Sequence, residues 1–231
     1  MSLLQIVNAA QSLLNLPVTS TVVNNNGEAQ KQLLQIANME GRFLARSHPW
    51  QALITEQTFS TVAAELQTHT MAADFGYMVN ETMFNRTSTE QVNGPLTPKF
   101  WQEQKAFGTS LTWSQYRWRG NSLYFIPAPT ASQTVAYEYV SKYWCESSGG
   151  TDQEKWAADT DVGRIDEYVM TLGIVWRWNR SKGHAYQDER DEYEQAKQLA
   201  ISRDGTRKTL SVAGARRGGL GVGRVAEGSW S

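Results

Sequence analysis

Residues 161–205 constrain this chain more than any other stretch, because they read as a helical hairpin that cannot bury itself. Ile165, Tyr168, Val169, Leu172, Val175 and Trp176 recur at steps of three and four, which predicts a helix with a wide apolar stripe on one side. Asp161 stands where an N-cap belongs. Lys182 and Gly183 supply a basic last turn and a residue suited to a left-handed cap. A second helix, about residues 186–203, carries a thinner stripe of Tyr193, Ala196, Leu199 and Ala200 and displays Asp188, Glu189, Asp191, Glu192 and Glu194. The hairpin therefore needs partner helices, and the sequence offers them only at the opposite end of the chain.

There, Leu3, Ile6, Val7, Ala10, Leu13 and Leu14 mark a helix over residues 3–15, with Ser2 as N-cap and Pro17 as its stop. A second helix over about residues 28–46 places Leu33, Ile36, Ala37, Phe43 and Leu44 on one face and ends at His48-Pro49. Between the helical ends the period becomes strand-like. Ile54, Thr58, Phe59 and Val62 form one extended run, residues 77–84 a second and residues 110–118 a third. Residues 116–119 and 122–126 around Gly120-Asn121 predict a hairpin, and residues 135–143 a further strand. A short helix over residues 98–107, with Phe100, Trp101 and Gln104 on a side, interrupts the sheet, and residues 146–158 read as a polar loop. The expected fold is α+β: an antiparallel α-helical bundle with an inserted β-rich module and an extended C-terminal arm. Residues 1–52 form the first half of the bundle, 53–144 the module, 145–204 the loop and hairpin that complete the bundle, and 205–231 the arm. An insertion needs its two ends close together, so Trp50 and Trp144, which bracket it, are expected to be buried near one another at the seam.

Composition limits the chemistry. The 231 residues suffice for one substantial core or two small ones, and one cysteine, Cys145, rules out an internal disulfide and a cysteine-rich zinc site. The absence of an apolar run of roughly 18 residues and of a signal-peptide pattern predicts a soluble chain made in the cytoplasm. A net charge of -1 gives no bulk attraction to nucleic acid or anionic lipid, while nine Trp and nine Tyr favour packing and recognition. His48, His69 and His184 lie far apart, each in a turn or helix-end context. Asp152, Asp159 and Asp161 suit helix capping better than a cation site. Gly219, Gly221 and Gly223 lack the strand and helix that a phosphate-binding loop requires. Cys145 has no basic neighbour and reads as inert. No catalytic, cofactor or metal residue is expected.

The arm differs from the rest. Arg207, Lys208, Arg216, Arg217 and Arg224 stand against a single acid, Glu227, with Leu220, Val222 and Trp230 spaced among glycines. Such a segment has no core of its own and needs a partner to supply apolar surface.

Several stretches together resemble the head-to-tail adaptor proteins of tailed bacteriophages, chiefly short-tailed ones. They are Ala73-Asp74-Phe75, residues 79–86 (VNETMFNR), Gly94-Pro95-Leu96 leading to Trp101-Gln102, residues 124–129 (YFIPAP) and residues 137–141 (YEYVS). Asp159-Thr160-Asp161, Trp176-Arg177 and Tyr193-Glu194 in the terminal hairpin agree. The resemblance spans about residues 1–205 and implies a structural virion protein, a ring of probably twelve copies beneath the portal protein that meets the tail nozzle or tail tube protein and leaves a channel for DNA. On that reading Arg216, Arg217, Leu220, Val222, Arg224 and Trp230 are the portal-binding residues of the arm, DNA passes without sequence-specific binding, and no membrane or cofactor is involved. Two other classes stay open: a nucleic-acid binder that uses the basic Gly-rich arm and stacking aromatics, and a glycan-cleaving tail enzyme, for which no carboxylate pair stands out.

Overall fold

The structure is a computed structural model and describes residues 1–107 and 114–205. Among these residues five α-helices, α1 Leu3–Leu13, α2 Glu28–Ser47, α3 Pro98–Phe107, α4 Glu167–Lys182 and α5 Gln187–Asp204, accompany several antiparallel sheets, an α+β fold. The start of α1 is set locally: the Ser2 hydroxyl accepts from Gln5 N–H while the Gln5 side chain accepts from Ser2 N–H, a reciprocal capping box.

The start of α4 corrects the sequence reading. Asp161 does not cap a helix; its carboxylate accepts from Ala157 N–H at 2.7 Å and Ala158 N–H at 2.8 Å. The cap is Asp166, whose Oδ1 accepts from Tyr168 and Val169 N–H. Residues 162–163 are extended and paired, so no helix can begin until they have passed. The hairpin turn is as expected, with Gly183 closing α4 in the left-handed region at φ 73°.

Helix α4 carries more than the expected one-sided stripe. Val169 through Trp176 are all buried, as is Trp178, because α1, α2 and α5 all pack on this helix. Tyr168, placed in the stripe by spacing, is exposed, as are Phe43, Leu13 and Leu199 on their own helices.

The strands are β1 Ile54–Ser60, β2 Phe75–Met78, β3 Phe84–Asn85, β4 Glu90–Gln91, β5 Gln115–Arg119, β6 Ser122–Ile126, β7 Thr134–Ser141, β8 Cys145–Glu146, β9 Asp152–Gln153 and β10 Val162–Gly163. Strand β7 is the hub. It pairs with the whole of β1, from Ile54 opposite Val140 to Ser60 opposite Thr134, and on its other edge with β2 and β3. The run expected over 77–84 is thus two strands with a turn between them. Strands β5 and β6 form the expected hairpin around Gly120. The third expected run, 110–118, falls partly outside the described residues, and its described part belongs to β5. Residues 146–158, read as loop, contain β9, which pairs with β8, and β8 also pairs with β10. Two-residue strands have too little periodicity to show in a sequence.

Two apolar clusters result. One joins α1, α2, α4 and α5 with Trp50, Leu53, Val140, Trp144 and Trp156. The other gathers Met83, Tyr116, Leu123, Phe125, Val135, Tyr137 and Tyr139. Neighbouring residues of β7 serve different clusters: Tyr139 enters the second and Val140 the first, because successive strand side chains point to opposite faces.

Candidate functional site

Four places could carry function: the point where sheet and helices meet, a charged cluster among three helices, the outward helix faces, and the arm.

At the meeting point, Trp144 is fully buried and Trp50 is 3% exposed. Trp50 Nε1–H donates to the Leu44 carbonyl at 2.7 Å, which fixes the indole against the last turn of α2. Trp144 stacks edge-on to Trp156, with ring centroids 4.9 Å apart. The ends of this region are tied further. Asp204 Oδ2 accepts from Gln51 N–H at 2.9 Å and sits 3.2 Å from His48 Nε2, so the end of α5 is joined to the end of α2. Arg164 donates to the Ala52 carbonyl at 2.6 Å and pairs with Asp152 at 2.9 Å.

Among α2, α4 and α5 lies a cluster that sequence spacing did not single out. Glu40 is fully buried, and its Oε2 accepts from Arg177 Nε at 2.5 Å. Its carboxyl presses against α4 at Gly173, where a Cβ would come within 2.3 Å of Glu40 Cδ. Burial raises the Glu40 pKa above the usual carboxylate range, and the Arg177 cation opposes that shift without cancelling it. Tyr193 is fully buried beside Glu40, which together with burial drives its phenol pKa up. Glu40 Oε1 and the Tyr193 hydroxyl lie buried in this cluster and have no other hydrogen-bond partner among the described residues. Phe43 covers the cluster, with the Arg177 guanidinium 5.1 Å and the Lys197 ammonium 5.2 Å from its ring centroid. A carboxylate inside an apolar helical run was the available signal, and it is a weak one: Glu40 reads as a solvated residue unless the partner helix is known.

The outward faces are charged and unlike one another. On α2, Lys31, Gln35, Met39, Arg42 and Arg46 are all exposed. Arg42 and Arg46 line a groove of about 370 Å³ with Phe75, Tyr77 and Lys142, where α2 passes the edge of β2. A second groove of about 490 Å³ continues from Arg42 along Tyr143, Gln153 and Lys155, and Glu154 touches both. On α5, Glu189 is held by Asn179, Glu192 by the Tyr168 hydroxyl and Glu194 by Lys197, which leaves Asp188 and Asp191 facing outward.

The remaining polar candidates have structural partners. Asp159 accepts from Val22 and Val23 N–H at 3.0 and 2.9 Å, and so ties the loop after α1 to the stretch before β10. Asp152, Asp159 and Asp161 therefore serve three separate contacts. Among the described residues no three His, Cys, Asp or Glu side chains are arranged to hold a metal ion. His69 is half-buried, stacks on Phe59 at 4.4 Å and lies 2.7 Å from the Tyr137 hydroxyl; burial lowers its pKa. His184 is exposed. Cys145 is buried, and burial pushes its thiol up to about 12, so it carries no thiolate at neutral pH. One groove gathers Glu56, Glu81 and Glu138, with Phe84 and Tyr137 as its aromatic lining. Arg216, Arg217, Leu220, Val222, Arg224 and Trp230 lie outside the described residues. No described helix is long and apolar enough to cross a membrane.

What this arrangement offers is binding surface. A family model described as SU10 adaptor protein matches residues 1–218, which takes in Arg216 and Arg217 and stops short of Leu220. Comparison with curated proteins gives no match.

Proposed function

The chain belongs to the SU10 adaptor protein family, and from that membership we propose that it is a structural protein of the bacteriophage virion that joins head to tail. The observation that carries this reading is the extent of the family match, which runs through the helical cluster and the sheet cluster alike. The family is one of structural adaptors and not of enzymes.

The finer proposal is a ring of twelve copies seated beneath the portal protein, with a channel for DNA and a surface for the tail nozzle or tail tube protein. Helices α1, α2, α4 and α5 form the bundle of each subunit and residues 53–144 the inserted β module, with Trp50 and Trp144 at the seam. Support comes from the common core that both chain ends build, which gives the subunit a rigid frame, and from the near-neutral charge, which lets DNA slide without adhering. Residues 205–231 act as the portal-binding arm. Arg216, Arg217 and Arg224 pair with acidic groups, while Leu220, Val222 and Trp230 fill apolar sites. Extended, an arm of this length reaches on the order of 90 Å at about 3.3 Å per residue. The protein is made in the host cytoplasm and ends in the virion.

Mixing the purified chain with purified portal, followed by native mass spectrometry and electron microscopy, tests this. The expected outcome is a monomeric or weakly associated free chain that forms a twelve-membered ring on the portal. Deletion of residues 206–231 is expected to leave melting unchanged and to abolish or greatly weaken attachment. A truncated chain that docks at full affinity removes the arm as anchor. A chain that never binds portal removes the adaptor geometry itself.

A further inference from the structure

We infer that neighbouring copies in the proposed ring meet head to tail through two different helix faces: the outward face of α2, with Arg42, Arg46 and Met39, receives the outward face of α5 of the next copy, with Asp188, Asp191 and Leu199. The inference rests on the ring proposed above and names the surface that builds it.

Charge complementarity is the first argument. Among the described residues Arg42, Arg46 and Lys142 form no ion pair, and neither do Asp188 and Asp191. The basic groups share one groove of about 370 Å³ at the edge of β2, whereas the other acidic residues of the first half of α5 are already engaged within the subunit. Glu154, which also lines the groove, is exposed and leaves the balance basic.

Apolar matching is the second. Met39 is 55% exposed and Leu199 is 49% exposed, each on the same outward stripe as the charges beside it. Asp191 to Leu199 spans about 12 Å along a helix, and Arg46 to Met39 about 10 Å, at roughly 1.5 Å per residue. Laid antiparallel, α5 of one copy and α2 of the next therefore bring the acid to the arginine and Leu199 to Met39 in one register. The two faces are unlike and look away from the core that α2, α4 and α5 share, so the contact is heterologous, the kind that repeats around a ring.

Two double variants test this on the full chain: Arg42→Glu with Arg46→Glu, and Asp188→Lys with Asp191→Lys. All four positions are exposed, so both should melt like the wild type. On the portal, or at the concentration where the wild-type chain self-associates, each variant alone is expected to weaken assembly at least about tenfold through like-charge contact. Mixed in equal amounts they should recover assembly as alternating copies, because the acidic α5 face of the first meets the basic α2 face of the second and the two reversed faces complement each other in turn, and the chain carrying all four substitutions should likewise form rings again. A carbodiimide cross-link between Lys142 of one copy and Asp188 or Asp191 of another in the wild-type chain provides the check that needs no substitution. Rings that form unaltered from either double variant, or cross-links confined to other surfaces, overturn the contact and leave the ring standing. A wild-type chain that stays monomeric both free and on the portal removes ring and contact together.

Discussion

Gly41 of α2 lies against the ring of Trp144: a Cβ at this glycine would sit 2.3 to 2.5 Å from Cζ3, Cη2 and Cε3 of the indole. Trp144 is fully buried and packed edge-on to Trp156, so the ring has nowhere to retreat. The close approach lets the helix backbone press directly on the aromatic that stands between β7 and β8, and it sets the distance between the two.

Gly41→Ala should therefore destabilise the subunit by at least about 1 to 3 kcal/mol through overpacking, although alanine is the better helix former. Denaturant unfolding of the two chains checks this. Equal midpoints would show that the indole can move.

Removing the aromatics tests the same junction from the other side. Trp50→Ala and Trp144→Ala should each cost about 3 to 5 kcal/mol, with melting and assembly falling together. For Trp50, a variant with unchanged melting and lost assembly would place the indole between subunits.

The Glu40 and Arg177 pair gives a prediction with a sign. Arg177→Met leaves a buried carboxylate without its cation and should cost about 3 to 5 kcal/mol at neutral pH. The folded Glu40 pKa lies above its ordinary 4.5, so the contribution of this group to stability is fully present below 4.5 and is lost as pH rises through the folded value. Wild type should thus lose stability relative to Glu40→Gln as pH rises from 4.5 toward neutrality. Urea titrations of both chains across that range measure it, and parallel curves would refute it.

His69 should act in the opposite direction. Burial lowers its folded pKa below the ordinary 6.5, so its contribution is fully present above 6.5 and is lost as pH falls through the folded value. His69→Gln is expected to flatten the stability profile just below pH 6.5. NMR titration of the imidazole provides an independent reading.

Cys145 should resist a thiol reagent in the native chain and react only on unfolding, since it is buried and its thiol is pushed up to about 12. Prompt labelling at neutral pH would contradict its buried position.

Local rules were enough for much of this protein. The N-cap at Ser2, the extent of α2, α3 and α5, and the Gly120-Asn121 hairpin follow from residues within one or two turns of each other, as does the Gly183 stop. The family resemblance was likewise legible, because it rests on the order of short stretches along the chain. Other features depended on partners far away in sequence. Asp161 and Asp166 are equally good caps by residue type, and only the pairing of residues 162–163 with β8 decides between them. Val169 through Trp176 had to be buried all round because helices from both ends of the chain close on α4. Glu40 became a buried ion only when Gly173 and Arg177, more than a hundred residues later, came to face it. Spacing along a chain determines which side of an element is apolar; what covers that side, and which charged group is trapped beneath it, is decided only when distant elements meet.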